Sequence, residues 1–412
     1  MGGSEVAETG RDRVSVASRL VSRLEPVLAD PRVATGALLA TAAIAAVQRY
    51  LLGMRSSGYT RYNNFRIYEQ AFRHLLRGQD LYVRYPAEHW DVFKYSPTFA
   101  AFMAPFTVMP VWAGLILWNL LNAGALALAF SRVPVLSPRS RALAIWFVLP
   151  EAMTSFHNVQ ANVLLAGLAV LAFVALEEER PGWAALLLVA ATSIKIYPAV
   201  AGVVALLHPR KRAFLAWVAV WIVVLGAVPL LFASPALLVA EYRSWLRLLG
   251  SELTVRNGIS ALGILHSWFH LDPPKLAVGL AGGALALLPL ARAGLRHDAR
   301  LRLSFLGSLL VWMVVFNHTA ESATYAIAVT GVALAYFAGP RRPLDQVLLG
   351  FVFLLTSMSP RFPRSWVHQV VEPYALKAVP CILFWAATVW HLVARPAPSP
   401  PPPAGEPERR AR

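Results

Sequence analysis

Residues 111–130 read VWAGLILWNLLNAGALALAF, a stretch without one charged side chain. Its length is what a helix needs to cross a hydrocarbon core of about 30 Å, so it reads as a full membrane span. The apolar region begins earlier, at Phe99, but Pro105 and Pro110 interrupt it. Proline removes a helical hydrogen bond, so a short dipping helix is expected before the span. Outward from here the pattern repeats, with apolar runs over residues 33–52, 213–232, 276–295, 303–316, 323–337, 346–357 and 374–393.

Composition agrees. Of 412 residues, 57% are hydrophobic and 15% charged, and mean hydropathy is +0.53. A soluble domain carries about 25% charged residues, so a soluble fold with a large core is excluded. The net charge of +16 would suit a phosphate backbone, but the arginines fall in short segments between apolar runs. That is a topology signal, and no nucleic-acid partner is expected. The one cysteine, Cys381, lies in an apolar run, which leaves no disulfide framework and no cysteine metal cluster. No cleavable signal peptide is expected, because the first apolar run starts near Val33 without a small-residue cleavage pattern.

Arg132, Arg139 and Arg141 follow the 111–130 span; His208 to Arg212, Arg292 to Arg302, and Arg341 with Arg342 form further basic turns. Placing all of them inside gives one consistent topology with both termini cytoplasmic. Residues 1–31 form a basic leader, either an interfacial amphipathic helix built on Val16, Leu20, Val21, Leu24, Val27 and Leu28 or an unstructured segment. Residues 32–395 form the transmembrane domain, and residues 396–412 a proline-rich, unstructured cytoplasmic tail.

The topology makes the chain go out and return twice between Arg141 and His208. The polar apices are residues 157–162, HNVQAN, and 195–198, KIYP. Each arm offers only about a dozen apolar residues, short of a span, so these hairpins should stop within the membrane and line a cavity. About twelve inserted helices result, between about ten and thirteen, in an all-α polytopic membrane protein with a helical first external loop.

Polar chemistry gathers on the outer side. The first loop supplies Asn63, Asn64, Glu69, Asp80, Tyr82, Asp91, Lys94 and Tyr95. The apices add His157, Asn158, Gln160, Asn162, Lys195 and Tyr197, and later segments Arg256, Asn257, His318 and Glu321. Ionisable groups at membrane depth are costly and usually functional or paired. Lys195, between apolar runs and just before Pro198, suits a phosphate at headgroup level; a snorkelling lysine is the bland alternative. His318 and Glu321, three apart at a helix start, should share a face. With His157 they fall short of a metal set, and no metal or other cofactor is expected. Ser96 and Pro97 read as a helix cap and first position, beside sugar-stacking aromatics at Trp90, Phe93 and Tyr95.

The order NFRIY (64–68), GQDLY (78–82), KYSP (94–97), LWNLLN (117–122), NVQAN (158–162) and SIKIYP (193–198) resembles glycosyltransferase family 87. The resemblance covers roughly residues 33–265, and the last third only in its pattern of spans. It implies a GT-C architecture and transfer of a hexose, often mannose, from a polyprenyl-phosphate donor to a lipid or glycan acceptor outside a bacterial cytoplasmic membrane. It implies an acidic general base early in the first external loop and a cation, here Lys195 or Arg256, for the leaving phosphate. This chain departs from it: Asn64 stands where an Asp is usual, and an amide cannot be the base. Asp91 is the first replacement, since it shares a segment with Lys94 and Tyr95; Glu69, Asp80 and Glu321 are the others. A flippase of lipid-linked sugar and a non-catalytic membrane scaffold remain alternatives.

Overall fold

The computed structural model of the chain describes residues 24–54, 56–252 and 257–394. The basic leader, apart from a helical turn over residues 24–28, and the proline-rich tail lie outside them, as does Arg256. The regular structure of the described residues is all helical, with no strand beyond one isolated bridge between Met54 and Thr60.

Helix α1 (Pro31–Leu51) starts on an Asp30 cap with Pro31 at its first position. The first loop then folds α2 (Asn63–Arg77), closed by Gly78 in the left-handed conformation that glycine adopts without strain. Ser96 accepts from Phe99 N and Pro97 opens α3 (Pro97–Phe102), as the Ser-Pro pair foretold. A four-residue turn (Ala104–Thr107) and Pro110 separate α3 from α4 (Val111–Arg132), so a short helix precedes the long one, as expected.

The hairpins come next: α5 (Pro138–His157), α6 (Asn162–Glu177), α7 (Pro181–Ile194) and a 3₁₀ helix (Tyr197–Leu207). The expectation of four short arms needs correction at the first. Ser137 caps α5, so Arg139 and Arg141 lie inside its first turn and the helix runs 20 residues, about 30 Å. The other three arms, of 16, 14 and 11 residues, are short.

Beyond them lie α8 (Lys211–Ala227), extended by a 3₁₀ turn to Leu231, α9 (Pro235–Glu252), α10 (Ala261–Phe269), α11 (Lys275–Leu287) and α12 (Ala299–Val315). The last are α13 (Tyr325–Ala338), α14 (Pro343–Phe351), which continues as a π-helix (Val352–Ser357), and α15 (Ala378–Ala394). Among the described residues, three helices are long and apolar enough to cross a membrane: Pro31–Leu51, Val111–Arg132 and Lys211–Leu231. Seven shorter apolar helices accompany them. The outer faces of α8 and α11 are strongly apolar and exposed, as lipid contact requires.

The core bundle packs α1 on α4 and α5, α6 between α4 and α7, and α13 on α5 and α12. At the α12–α13 crossing a side chain on Gly331 would meet Gly307 O at 2.4 Å, so two glycines let the backbones touch. One end of the bundle carries the first loop, α9, α10 and the hairpin apices. The other carries the arginine-rich turns, where Arg302 grips Glu177 through two bonds of 2.7 and 2.6 Å and His208 stands 3.3 Å away.

Candidate active site

Two asparagines on α4 fix the first apex. Asn119 Nδ2 donates to Phe156 O at 3.3 Å and to Ala42 O at 3.1 Å. Asn122 Oδ1 accepts from Leu164 N at 2.9 Å, holding the first turn of α6. Both side chains are fully buried. Asn119 lies eight residues into α4, so the apex is recessed by about 12 Å from that helix's loop end. Val159 turns the chain there at φ +51°, a left-handed value that a β-branched residue adopts only when its surroundings impose it.

On this recessed turn the side chains link in series. Gln160 Nε2 donates to Glu321 Oε2 at 3.0 Å, and Asn162 Nδ2 donates to Gln160 Oε1 at 2.6 Å. Lys195 Nζ donates to Asn162 Oδ1 at 3.0 Å, and Tyr197 OH approaches the same oxygen at 3.4 Å. The result is a polar relay with a carboxylate at one end and an ammonium at the other. The ammonium also stands 5.9 Å from the Tyr95 ring centre and 5.8 Å from that of Tyr197, within cation–π range. Tyr95 OH meets Tyr68 OH at 2.9 Å. Burial, then the Tyr95 neighbour, hold the Tyr68 phenol well above its usual range, so it stays neutral. Tyr82 OH donates to Tyr95 O at 2.8 Å, and Ser96 Oγ donates to Ser193 O at 2.5 Å, which ties the first loop to the second apex.

Of the residues marked in the sequence, the structure thus joins Tyr95, Gln160, Asn162, Lys195, Tyr197 and Glu321. Asn64 serves the site differently. Its Nδ2 donates to Asn158 O at 2.7 Å, steadying the apex by a bond that a carboxylate could not make. Asn63 Oδ1 accepts from Trp90 N at 3.3 Å and braces the first loop. Asn158 Nδ2 donates to Thr154 O at 2.8 Å within α5, and His157 Nε2 meets Gln48 Oε1 at 2.7 Å, turned toward α1.

The carboxylates divide sharply. Glu69 is buried between Arg66 at 2.5 Å and Arg73 at 2.7 Å, both oxygens occupied. Asp91 faces Lys94 at 3.5 Å and accepts from Val92 N at 2.8 Å. Glu321 alone among the three enters the relay. It also caps the 3₁₀ turn Ser322–Thr324 through a reciprocal capping box, and its side chain is exposed. The shared helical face expected for His318 and Glu321 is absent: residues 317–321 are turn and coil, because Glu321 is itself the cap. Asn257 pairs with Asp272 at 3.2 Å, away from the relay.

Tyr68, Asn119 and Asn122 stand in the family-like motifs, yet the sequence alone does not mark them as site residues. Tyr68 lies one helical turn after Asn64, and Asn119 and Asn122 interrupt an otherwise apolar span, so periodicity held both signals.

Beside the second apex an apolar groove of about 510 Å³ opens between α3, α7, α8 and α9. Val189, Ile222, Val223, Leu230 and Leu238 line it, with Tyr242 and Trp245 toward the loop end. Trp245 Nε1 donates to Lys94 O at 3.3 Å, and Tyr242 OH meets Thr98 Oγ1 at 2.7 Å. The groove therefore abuts the segment that carries Tyr95.

Residues 93–317 match glycosyltransferase family 87. The match starts later than the resemblance drawn above and extends beyond it, through α12, while leaving α1 and α2 outside. No curated protein matches the chain. The matched residues contain both apices, Lys195 and the groove, and span more than half of the sequence. The chain belongs to glycosyltransferase family 87 and is a glycosyltransferase, working between a sugar donor and an acceptor.

Proposed function

We propose that this protein moves a hexose, mannose in the first instance, from a polyprenyl-phosphate donor to a lipid or glycan acceptor at the loop end of the bundle. That end faces the outside of a bacterial cytoplasmic membrane, since the arginine-rich turns belong in the cytoplasm together with both termini. The observation that carries the proposal is the relay from Glu321 through Gln160 and Asn162 to Lys195. An inverting displacement needs a base for the acceptor hydroxyl and a cation for the departing phosphate. Glu321 supplies the first and Lys195 the second. The acceptor oxygen loses its proton to Glu321 as it bonds to the anomeric carbon, and the carbon–oxygen bond to the lipid phosphate breaks toward Lys195. Tyr95 and Tyr197 offer faces for the sugar ring. The apolar groove beside Ser96 and Ser193 offers the isoprenoid chain a place next to the phosphate end.

Asn64 supports this assignment. Its amide is committed to Asn158 O, so the base comes from elsewhere, and Glu321 is the carboxylate on the relay.

The test supplies membranes containing the protein with labelled polyprenyl-phosphate mannose. Label should pass to a lipid or glycan, be lost in Lys195→Ala, fall by about 10²–10⁴-fold in Glu321→Gln, and persist in Asp91→Asn. Absence of transfer from every polyprenyl-phosphate hexose tried would sink the proposal. Movement of labelled lipid across vesicles without transfer would favour a flippase.

A further inference from the structure

Ser322, the residue after Glu321, is bonded by a buried pair that sequence patterns did not point to. Glu151, on α5, and Lys377, just before α15, are 0% and 1% exposed and meet at 2.7 Å. Neither belongs to the relay. Lys377 Nζ spends its other two hydrogens on Ser322, donating to the backbone oxygen at 2.9 Å and to Oγ at 2.8 Å. Ser322 is the residue after Glu321 and the first of the 3₁₀ turn that Glu321 caps. The ammonium also lies 5.2 Å from the Tyr325 ring, and Tyr325 OH reaches Ile259 O at 2.8 Å. Ile259 N in turn donates to Ala320 O at 2.8 Å. Residues 320–325 are thus clamped on both sides by one buried cation and one loop.

Burying two charges is expensive, and a bundle of apolar helices has no packing need for them. In some proteins such pairs are kept because they fix one arrangement among several. The neighbouring helix is irregular: α14 becomes a π-helix over Val352–Ser357, and Thr356 Oγ1 donates to Lys377 O at 2.9 Å. Widened turns of this kind recur at functional sites. Arg361 completes the clamp by donating to Pro150 O and to Ser357 O, joining α5 to the end of the π-helix.

We propose that Glu151 and Lys377 form a positioning pair that sets the Ser322 turn, and through it holds the Glu321 carboxylate on Gln160. The inference rests on the reading of Glu321 as the base, but its test does not require transfer. Lys377 carries the three contacts; Glu151 keeps the ammonium aimed into the turn. Neither touches the relay.

The experiment places Gln160→Cys and Glu321→Cys together in the full chain and follows cross-linking by a short bis-methanethiosulfonate in detergent. The pair should link readily, and Lys377→Met with Glu151→Met, which removes both charges at once, should slow linking at least about tenfold. Ser322→Ala leaves the buried pair in place and removes one of its two anchors, so it should slow linking by a smaller factor. It also serves if the charge-free variant does not elute as a single species. In the otherwise native chain the same charge-free change should lower kcat for transfer while leaving the KM for donor unchanged. Unchanged linking rates in a folded charge-free variant, or in Ser322→Ala where that variant fails, would overturn the inference. Slowed linking, combined with no transfer from any polyprenyl-phosphate hexose by the otherwise native chain, would leave the positioning role standing and remove the proposed base and donor instead.

Discussion

Removing only one member of the Glu151–Lys377 pair should destabilise the protein far more than removing both. Lys377→Met leaves a fully buried carboxylate without its counterion and frees Ser322 O and Oγ. Breaking such a pair from one side costs about 3–5 kcal/mol, because the remaining charge is stranded in low dielectric. At roughly 2–4 °C per kcal/mol for a large domain, the apparent melting point should fall by about 6–20 °C. Glu151→Met combined with Lys377→Met replaces the ions with side chains of similar length that are content in an apolar site. The double variant should then recover to within about 1–2 kcal/mol of the native protein, the residue being the two lost bonds to Ser322. Heating detergent-solubilised protein and counting the monodisperse fraction by gel filtration gives the midpoints. If Lys377→Met melts within about 2 °C of the native chain, or if the double variant melts as low as the single, the charges do not interact as described.

Four other outcomes follow from particular contacts. Burial, opposed by the Leu81 N–H and reinforced by Asp80, pushes the Glu241 carboxyl up to about 7, so the folded protein holds a proton there that the unfolded chain releases near 4.5. Its contribution is complete below the unfolded value and is lost as pH rises through about 7. Hydrogen exchange in α9, corrected for the intrinsic pH dependence of amide exchange, should therefore quicken from about pH 4.5 to about 7, and Glu241→Gln should flatten that rise. His74 and His89 act oppositely: burial lowers both, so their contribution is present above the usual histidine range and lost on acidification. Gly331→Ala would drive a methyl to 2.4 Å from Gly307 O and should cost about 1–3 kcal/mol, read as a lower melting point with an unchanged helical circular-dichroism spectrum. Glu69→Gln would remove the carboxylate that Arg66 and Arg73 share and should lower stability, yet the protein that remains folded should transfer sugar at near-native rate; a loss like that of Glu321→Gln would return Glu69 to the chemistry.

Much of the architecture was legible one segment at a time. Hydrocarbon demands a fixed length of uncharged chain, so residues 111–130 announced α4 without reference to anything distant. Ser96-Pro97 fixed the start of α3 for the same local reason, since a cap satisfies its own helix. The apices at residues 157–162 and 195–198 stood out because polar side chains between apolar arms need partners at depth, and the structure supplies them. The length of α5 escapes a count of apolar residues alone, because arginine tolerates a helix's first turn.

Partnership across the chain was a different matter. Asp91, close in sequence to Lys94 and Tyr95, spends its charge on Lys94, while Glu321 reaches Gln160 from 161 residues away. Glu151 and Lys377, 226 residues apart, lay in runs that looked merely apolar with one charge each. Sequence by itself determined that this is a helical chain made for a bilayer, with polar chemistry at its turns, because hydrophobic length and capping act within a single segment. Which carboxylate joins the lysine was decided only by the tertiary structure, because charge pairing depends on distances of a few ångströms between helices that the chain order does not encode.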